Sequence, residues 1–520
     1  MKMFKMMAAG LLAGAAMPAL AAAPKADPAA ENAALRDLYR EMVETDSSIT
    51  SGSCTDLAHK IAAHMKARGF SDSEIFTFAT PEHPKEGGLV VTYAGTSAKV
   101  KPMLLLGHLD VVTAKRADWT RDPYKLIEEN GYFYGRGTED MKPMDAIWVD
   151  MLERFRAQGY KPKRTIKLAM TCGEETSWAF NGARWLAENK RDLIDAEFVL
   201  NEGGGGFTDG KGKLLVQTVH VGEKTVGNYR IEATNPGGHS STPVRENAIY
   251  DLAAALTKIQ NHEFATMLNP TTRAFFAKSG AGRADDMGKA MVIVGTAAPD
   301  SAEFKAAEAV VNTDKTFHSM LRTTCVATLL DGGHANNALP QRAGANVNCR
   351  IFPGVSYEAV QKELVAVIGN PAMTVVKTDD RGPLAKSPEM TPLIMAPIEK
   401  LMAKHFPGIA LVPQMSTGAT DGIFFEALGI PSYGPPGLWG DPDGNGTHGL
   451  NERFEVKALS NPLGVLEAAQ GFEPDVFVLD LYMPEADGCE LTRLIHEEPQ
   501  FANTPVMLLL LSDGASNDPA

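Results

Sequence analysis

Three short apolar runs in this chain each end on side chains of the kind that hold metals. Met103–Leu106 runs into Gly107-His108-Leu109-Asp110, and Ile166–Met170 runs into Thr171-Cys172-Gly173-Glu174-Glu175. Phe198–Leu200 runs into Asn201-Glu202 and then Gly203–Gly206. Unbroken apolar runs of this length read as parallel strands buried on both faces. Amphipathic spacing predicts helices over Asn32–Thr45 and Thr55–Arg68. The alternation of strand and helix runs up to Gly222 predicts an α/β fold, a mostly parallel sheet with helices on both faces, over residues 32–222. Sheets of that kind gather their chemistry at the carboxyl ends of the strands.

The texture changes at Lys224. Thr225–Ala233 alternates polar and apolar residues, as a half-buried antiparallel strand does. Helices are expected over Asn247–Ile259 and Tyr357–Ile368, and strands over Thr323–Leu330 and Ala343–Ile351. Residues 223–381 therefore read as a smaller α+β domain inserted into the first, with 262–320 an irregular, partly helical excursion. The α/β texture resumes in residues 382–458.

The tail, residues 459–520, is different. Asp475–Leu479 is a strand-like run ending in Asp480, and Thr504–Leu511 is a second. This resembles the middle of a two-component receiver domain. A receiver also needs an acidic pair on its first strand and a lysine on its last, and no lysine follows Lys457. One aspartate is not a cation site, so the segment reads as a receiver fragment without function.

Composition narrows the compartment and the partners. At 520 residues the chain exceeds one ordinary core. Lys2 and Lys5 precede the apolar, small-residue stretch Met6–Leu20, and Ala19-Leu20-Ala21 fits a small-x-small cleavage site. Residues 1–21 thus read as a signal peptide of a periplasmic or secreted protein, with no membrane segment left after cleavage. The formal charge of −14 disfavours nucleic acid and anionic lipid as partners. Five cysteines with no C-x-x-C spacing exclude a thiolate zinc site. Cys325 and Cys349 fall in two strand-like runs that could be neighbours. A disulfide is open to them, but plain buried thiols are the expectation.

Taken singly, a His-x-Asp, a Glu-Glu or a glycine run means little, and Gly203–Gly206 lacks a nucleotide-binding spacing. Together they form an ordered series. His108-x-Asp110 is followed by Gly135-Arg136-Gly137-Thr138-Glu139-Asp140-Met141-Lys142, Glu174-Glu175, Glu202 and, near the end, Gly446-Thr447-His448. Trp119–Tyr124, Pro236-Gly237-Gly238-His239-Ser240-Ser241, Asn337-Ala338-Leu339-Pro340 and Asn348-Cys349-Arg350 add to it. Over residues 32–458 this resembles the dinuclear-zinc exopeptidases and aminoacylases, the M20-type metallopeptidases. Glutamate carboxypeptidase, succinyl-diaminopimelate desuccinylase, acetylornithine deacetylase and carnosine dipeptidase are among them.

The resemblance implies a role for each position. Asp140 bridges two metals, with His108 and Glu202 on one and Glu175 and His448 on the other. Two zinc ions are the expected cofactors, with cobalt or manganese also suited to a His/carboxylate set. Asp110 orients His108. Glu174 is the general base for a water shared by the metals, and His239, supplied in the family by the second subunit, is an oxyanion donor. Arg350, Asn337 and Gly418 bind substrate. A cis peptide follows Asp140, and the inserted domain becomes a ferredoxin-like lid and dimerisation domain. Lys142 precedes Pro143 where the family has glycine, and proline suits a first helical turn.

These roles imply an exported metal-dependent hydrolase that cuts an amide or peptide bond beside a free carboxylate, as a carboxypeptidase or dipeptidase, and works as a homodimer. An N-acyl-amino-acid deacylase or desuccinylase is the alternative within the class, and an inert binding or signalling fusion protein the alternative outside it.

Overall fold

The computed structural model describes residues 28–176, 180–378 and 382–460, plus four short strands between 477 and 509. The signal segment and most of the receiver-like tail lie outside the described residues. Within that tail, Phe477–Asp480 pairs in parallel with Val506–Leu509.

A ten-stranded sheet organises the body. Its middle runs Ile166–Thr171, Met103–His108, Phe198–Leu200 and Ser432–Gly434, all paired in parallel. The two longest of these, Met103–His108 and Ile166–Thr171, are buried at every position, which explains why their sequence shows no alternation. Side chains still alternate between faces. Leu105 and Leu168 join a core under the helices Pro28–Glu44, Cys54–Ala67, Lys142–Ala157 and Pro392–His405. Leu104, Leu106 and Ala169 join a second core under Gly182–Asn189 and Gly422–Ala427. Each large apolar side chain fully buried this way contributes about 1.5–3 kcal/mol.

Register sets the position of the chemistry. His108 lies opposite Thr171, so those two strands end together, while Leu200 lies opposite Leu105 and its strand stops short of them, with Glu202 two residues beyond it. The helix Lys142–Ala157 starts immediately after Asp140, with Pro143 in its first turn. Its Lys142 is fully buried, and the ammonium donates to the carbonyls of Met42 (2.8 Å) and Thr45 (3.2 Å). Burial lowers that ammonium to about 8.

The strand Leu214–Glu223 leads through Lys224 into a separate four-stranded antiparallel sheet. Its order is Thr324–Gly332, Arg342–Ile351, Thr225–Thr234, Thr374–Lys377. Ala248–Gln260 and Tyr357–Ile368 cover one face of it. Residues 262–320 are more regular than expected. Pro270–Ala281, Asp286–Thr296, Ala302–Val311 and Lys315–Met320 form a helical cluster around Phe276, Met291 and Phe304. Capping explains the starts: Asn269, Asp285, Ser301 and Asp314 each accept from a backbone N–H of the first turn.

The expectation of free thiols fails. Cys325 is bonded to Cys349, and Cys54 to Cys172. The first pair follows from register, because the antiparallel strands place Cys325 directly opposite Cys349 with their Cα atoms 4.1 Å apart. The second joins the start of the helix Cys54–Ala67 to the residue that opens the Gly173–Glu175 turn. No local pattern announces it, since 118 residues separate the partners. Among the described residues, no helix is long and apolar enough to cross a membrane.

Candidate metal centre and substrate cleft

Two sets of three potential ligands converge at the strand ends, and they share Asp140. His108 Nε2 lies 3.0 Å from Asp140 Oδ1 and 3.6 Å from Glu202 Oε2. His448 Nε2 lies 3.0 Å from Asp140 Oδ2 and 2.9 Å from Glu175 Oε2. Thus the two oxygens of one aspartate face two histidines that are 340 positions apart in the chain. The Asp140–Met141 peptide is cis.

Three of the five candidate ligands are held by a recognisable local device. His108 is the last residue of its strand, and Asp110 turns its ring. The contact is the Asp110 backbone carbonyl, 3.0 Å from Nδ1, rather than the expected carboxylate, which stands 3.8 Å away. The Asp110 carboxylate instead accepts the backbone N–H groups of Gly173 (2.8 Å) and Glu175 (3.0 Å). It therefore fixes the turn that carries Glu174 and Glu175. Gly173 takes φ +101°, where a Cβ would fall 2.0 Å from the Phe180 carbonyl oxygen.

Glu452 does the same for the other loop. It is fully buried, and its carboxylate accepts from Arg136 (2.6 Å) and from the N–H groups of Gly137, Glu139 and Asp140 (3.1, 2.8 and 3.1 Å). Asp421 is also buried, taking Asn181 Nδ2 (2.6 Å) and the Thr171 hydroxyl (3.2 Å). Burial pushes its carboxyl up to about 7. Sequence reasoning missed the parts played by Glu452 and Asp421. Their only local signal is position, one after the last histidine and one closing Ser416–Asp421.

The electrostatics call for cations. Among the described residues, no lysine or arginine forms an ion pair with Asp140, Glu174, Glu175 or Glu202, and histidines face Asp140, Glu175 and Glu202. Hydrogen bonds to Asp140 and Glu175 push His448 up to about 10. Burial and the neighbouring Glu202 hold the Glu174 carboxyl well above its ordinary range. Half-buried acids this close repel unless positive charge is supplied. Each set offers one imidazole and two carboxylates, which leaves room for a water or substrate at a zinc-like ion. The residues present fit a pair of divalent cations, Asp140 lying between them.

A cleft of about 600 Å³ opens beside the cluster, and Glu174, Glu175, His448, Arg350 and Gly418 line it. Gly418 N–H donates to Ser416 Oγ (2.9 Å), which shapes that rim. Two expected residues are not brought there. His239 and Asn337 sit on an exposed two-stranded ribbon, Gly238–His239 against Ala338–Leu339. There His239 Nδ1 bonds the Ser241 hydroxyl (2.8 Å), and Ser240 N–H donates to the Asn337 carbonyl (3.0 Å).

Comparison with known proteins bears on the same cluster. A family model described as Peptidase family M20/M25/M40 matches residues 104–469. The chain is 28% identical over 386 residues to "Probable carboxypeptidase S-like 2" of Dictyostelium discoideum, covering 71% of each protein. It is 25% identical over 410 residues to "N-fatty-acyl-amino acid synthase/hydrolase PM20D1" of Homo sapiens, covering 77% of this chain and 80% of that one. Its fold is similar to that of an M20 family metallo-carboxypeptidase from Sulfolobus solfataricus. The TM-score is 0.62 at 18% identity, over 84% of this chain and 98% of the other. It is also similar to human carnosine dipeptidase 1, with a TM-score of 0.57 at 16% identity, over 86% and 97%.

Proposed function

The chain belongs to peptidase family M20/M25/M40, and from that premise we propose that it cuts an amide or peptide bond next to a free carboxylate. The observation that carries this reading is Asp140, shared by two three-residue ligand sets with Glu174 beside them. His108, Asp140 and Glu202 would hold one cation, and Asp140, Glu175 and His448 the other. Bound there, a pair of divalent cations supplies acidification of a water and stabilisation of negative charge on the carbonyl oxygen.

The rest is the work of the chain's own residues. Glu174 is half-buried at the cleft wall and belongs to neither ligand set, so its carboxylate is free to take the proton of the attacking water and hand it to the leaving nitrogen. Asp110 keeps that turn in place. Arg350 pairs with the substrate carboxylate through its fork, beside Gly418. His239 donates to the developing oxyanion, and Asn337 meets the substrate, both from a second copy of the chain. The exposed edge strand Thr324–Gly332 supports a homodimer, since Val326, Leu329 and Leu330 are 61–71% exposed on it.

Zinc is the proposed metal, with cobalt or manganese also fitting the donor set. Export to a periplasmic or secreted location is proposed from residues 1–21, and two disulfides suit an oxidising compartment. The similarity to N-fatty-acyl-amino acid synthase/hydrolases favours a second reading, hydrolysis of N-acyl amino acids. A panel of dipeptides and N-acyl amino acids, assayed with metal-loaded protein, tests both. Release of a free amino acid is expected, abolished in Glu174→Ala while metal stays bound. Full activity in Glu174→Ala would overturn the assignment.

A further inference from the structure

The turn that carries Glu174 and Glu175 is held from two sides. On one side the Asp110 carboxylate accepts the N–H groups of Gly173 and Glu175. On the other, Cys172, the residue before Gly173, is bonded to Cys54. Cys54 opens the helix Cys54–Ala67, whose Leu57, Ile61 and Met65 are buried in the main core. Neither cysteine lies in a strand, so no backbone ladder duplicates the tie. The bond between Cys325 and Cys349 is the opposite case. Its residues face each other across paired strands, which keep them together with or without the bond.

The bond behind the turn is also within reach of solvent. Cys54 and Cys172 keep only 1% and 2% of their surface, yet both line a pocket of about 180 Å³ whose Pro84 and Lys85 are exposed. The lining suits a thiolate. Lys85 brings a positive charge, while the Glu86 carboxylate is engaged with His83 Nδ1 (3.1 Å) and the Phe180 N–H (3.1 Å). Ser47 lines the same pocket, and its buried hydroxyl has no hydrogen-bond partner. The Ser47 carbonyl oxygen lies 3.6 Å from Cys54 Sγ, an acceptor for a thiol formed there. The pocket shares no lining residue with the substrate cleft, so a molecule in it acts on the turn from behind.

We propose that Cys54–Cys172 is a thiol-exchange site, through which small thiols switch the hydrolase off and small disulfides switch it on. The proposal rests on the hydrolase reading above, in which Glu174 is the base and Glu175 a ligand. A thiolate attacks one sulfur, forms a mixed disulfide with it and expels the other as a thiolate. A second small thiolate attacks the first one's sulfur, releasing the small disulfide and the second protein thiolate. Two electrons pass from two small thiols to the protein, and solvent supplies two protons. The turn then keeps its backbone bonds to Asp110 but loses its covalent anchor, and Glu174 its fixed distance from the attacking water. The small disulfide reverses both steps. For a chain exported as proposed above, the enzyme stays idle among cytosolic thiols and becomes active where disulfides form.

Reduced glutathione is the probe, added to the folded, metal-loaded wild-type protein. Alkylation followed by peptide mass spectrometry shows which cysteines have opened. Cys54 and Cys172 should become tagged while kcat falls about tenfold, the scale of a displaced catalytic group, and oxidised glutathione should restore it. Cys325→Ser/Cys349→Ser should lose and regain activity as the wild type does. Cys54→Ser/Cys172→Ser, its folding checked by a cooperative melting transition, should start at the lowered level and not respond. That lack of response separates the switch from capture of metal by the thiol. Full kcat with both cysteines tagged, neither cysteine tagged in the folded protein, or an equal fall in Cys54→Ser/Cys172→Ser would overturn the proposal and leave the hydrolase reading standing. No turnover of any dipeptide or N-acyl amino acid by the oxidised wild type would remove that reading, and the switch with it.

Discussion

The body and the inserted sheet carry functional residues in two different ways. In the body, His108, Glu175 and Glu202 follow strands whose register is fixed by the pairing of Met103–His108 with Ile166–Thr171 and Phe198–Leu200. The sheet thereby brings three of the five candidate ligands together, and Asp140 and His448 join them from loops. In the inserted sheet, Arg350 lies along a ten-residue ladder and lines the cleft, but His239 and Asn337 ride on an exposed ribbon outside it. Body residues alone supply both candidate ligand sets within one chain. The ribbon residues lie outside the cleft, and the proposed second copy of the chain is what would bring them to substrate.

That contrast can be broken most strongly on the body side. Glu174→Gln should lower kcat by about 10²–10⁴, the usual worth of a positioned general base. Metal content, read by elemental analysis, should stay unchanged, because Glu174 belongs to neither ligand set.

The ribbon side is probed by complementation. His239→Ala should lower kcat by about 10²–10³, the range for one lost oxyanion donor. Mixed after unfolding and refolding with Glu174→Gln, it should recover about a quarter of wild-type activity, since half of randomly paired dimers hold one intact site. No recovery would place His239 and Glu174 in the same chain's site and refute the two-copy arrangement.

A third prediction concerns pH. The proton on His448 persists up to about 10, and only the neutral imidazole ligates. A cation entering at His448 must displace that proton, so below about pH 10 affinity should rise about tenfold per pH unit. Calorimetry in buffers of different ionisation enthalpy would show the proton released, and pH-independent affinity would contradict it.

The smallest effect separates the disulfides. Removing Cys54–Cys172 by paired serine substitution should cost about 2–5 kcal/mol and loosen the Gly173–Glu175 turn. Removing Cys325–Cys349 should leave metal content untouched, because that bond lies within the inserted sheet. Chemical denaturation with parallel metal analysis reads both.

The division also explains what the bare chain reveals. The apolar runs before His108, Glu174 and Glu202 are legible because burial on both faces forces an unbroken pattern. Tyr357–Ile368 is legible because its apolar residues recur at helical spacing on one face. The bond between Cys54 and Cys172, and the grip of Glu452 on Gly137–Asp140, depend on partners more than a hundred positions away. No window of sequence contains them. Asp110 is intermediate: its proximity to His108 is legible, but not that its carboxylate turns to Gly173 and Glu175 while its carbonyl turns the ring. The helices of 262–320 escape for another reason. They are short and pack on one another, so none carries a long amphipathic stripe.

The central claim is that Asp140 ties two cations together, and counting metal tests it most directly. Elemental analysis of the folded wild-type protein should give two divalent ions per chain, and Asp140→Ala should retain neither tightly. A wild-type protein that folds and turns over with one ion, or an Asp140→Ala protein that keeps two, would contradict the account.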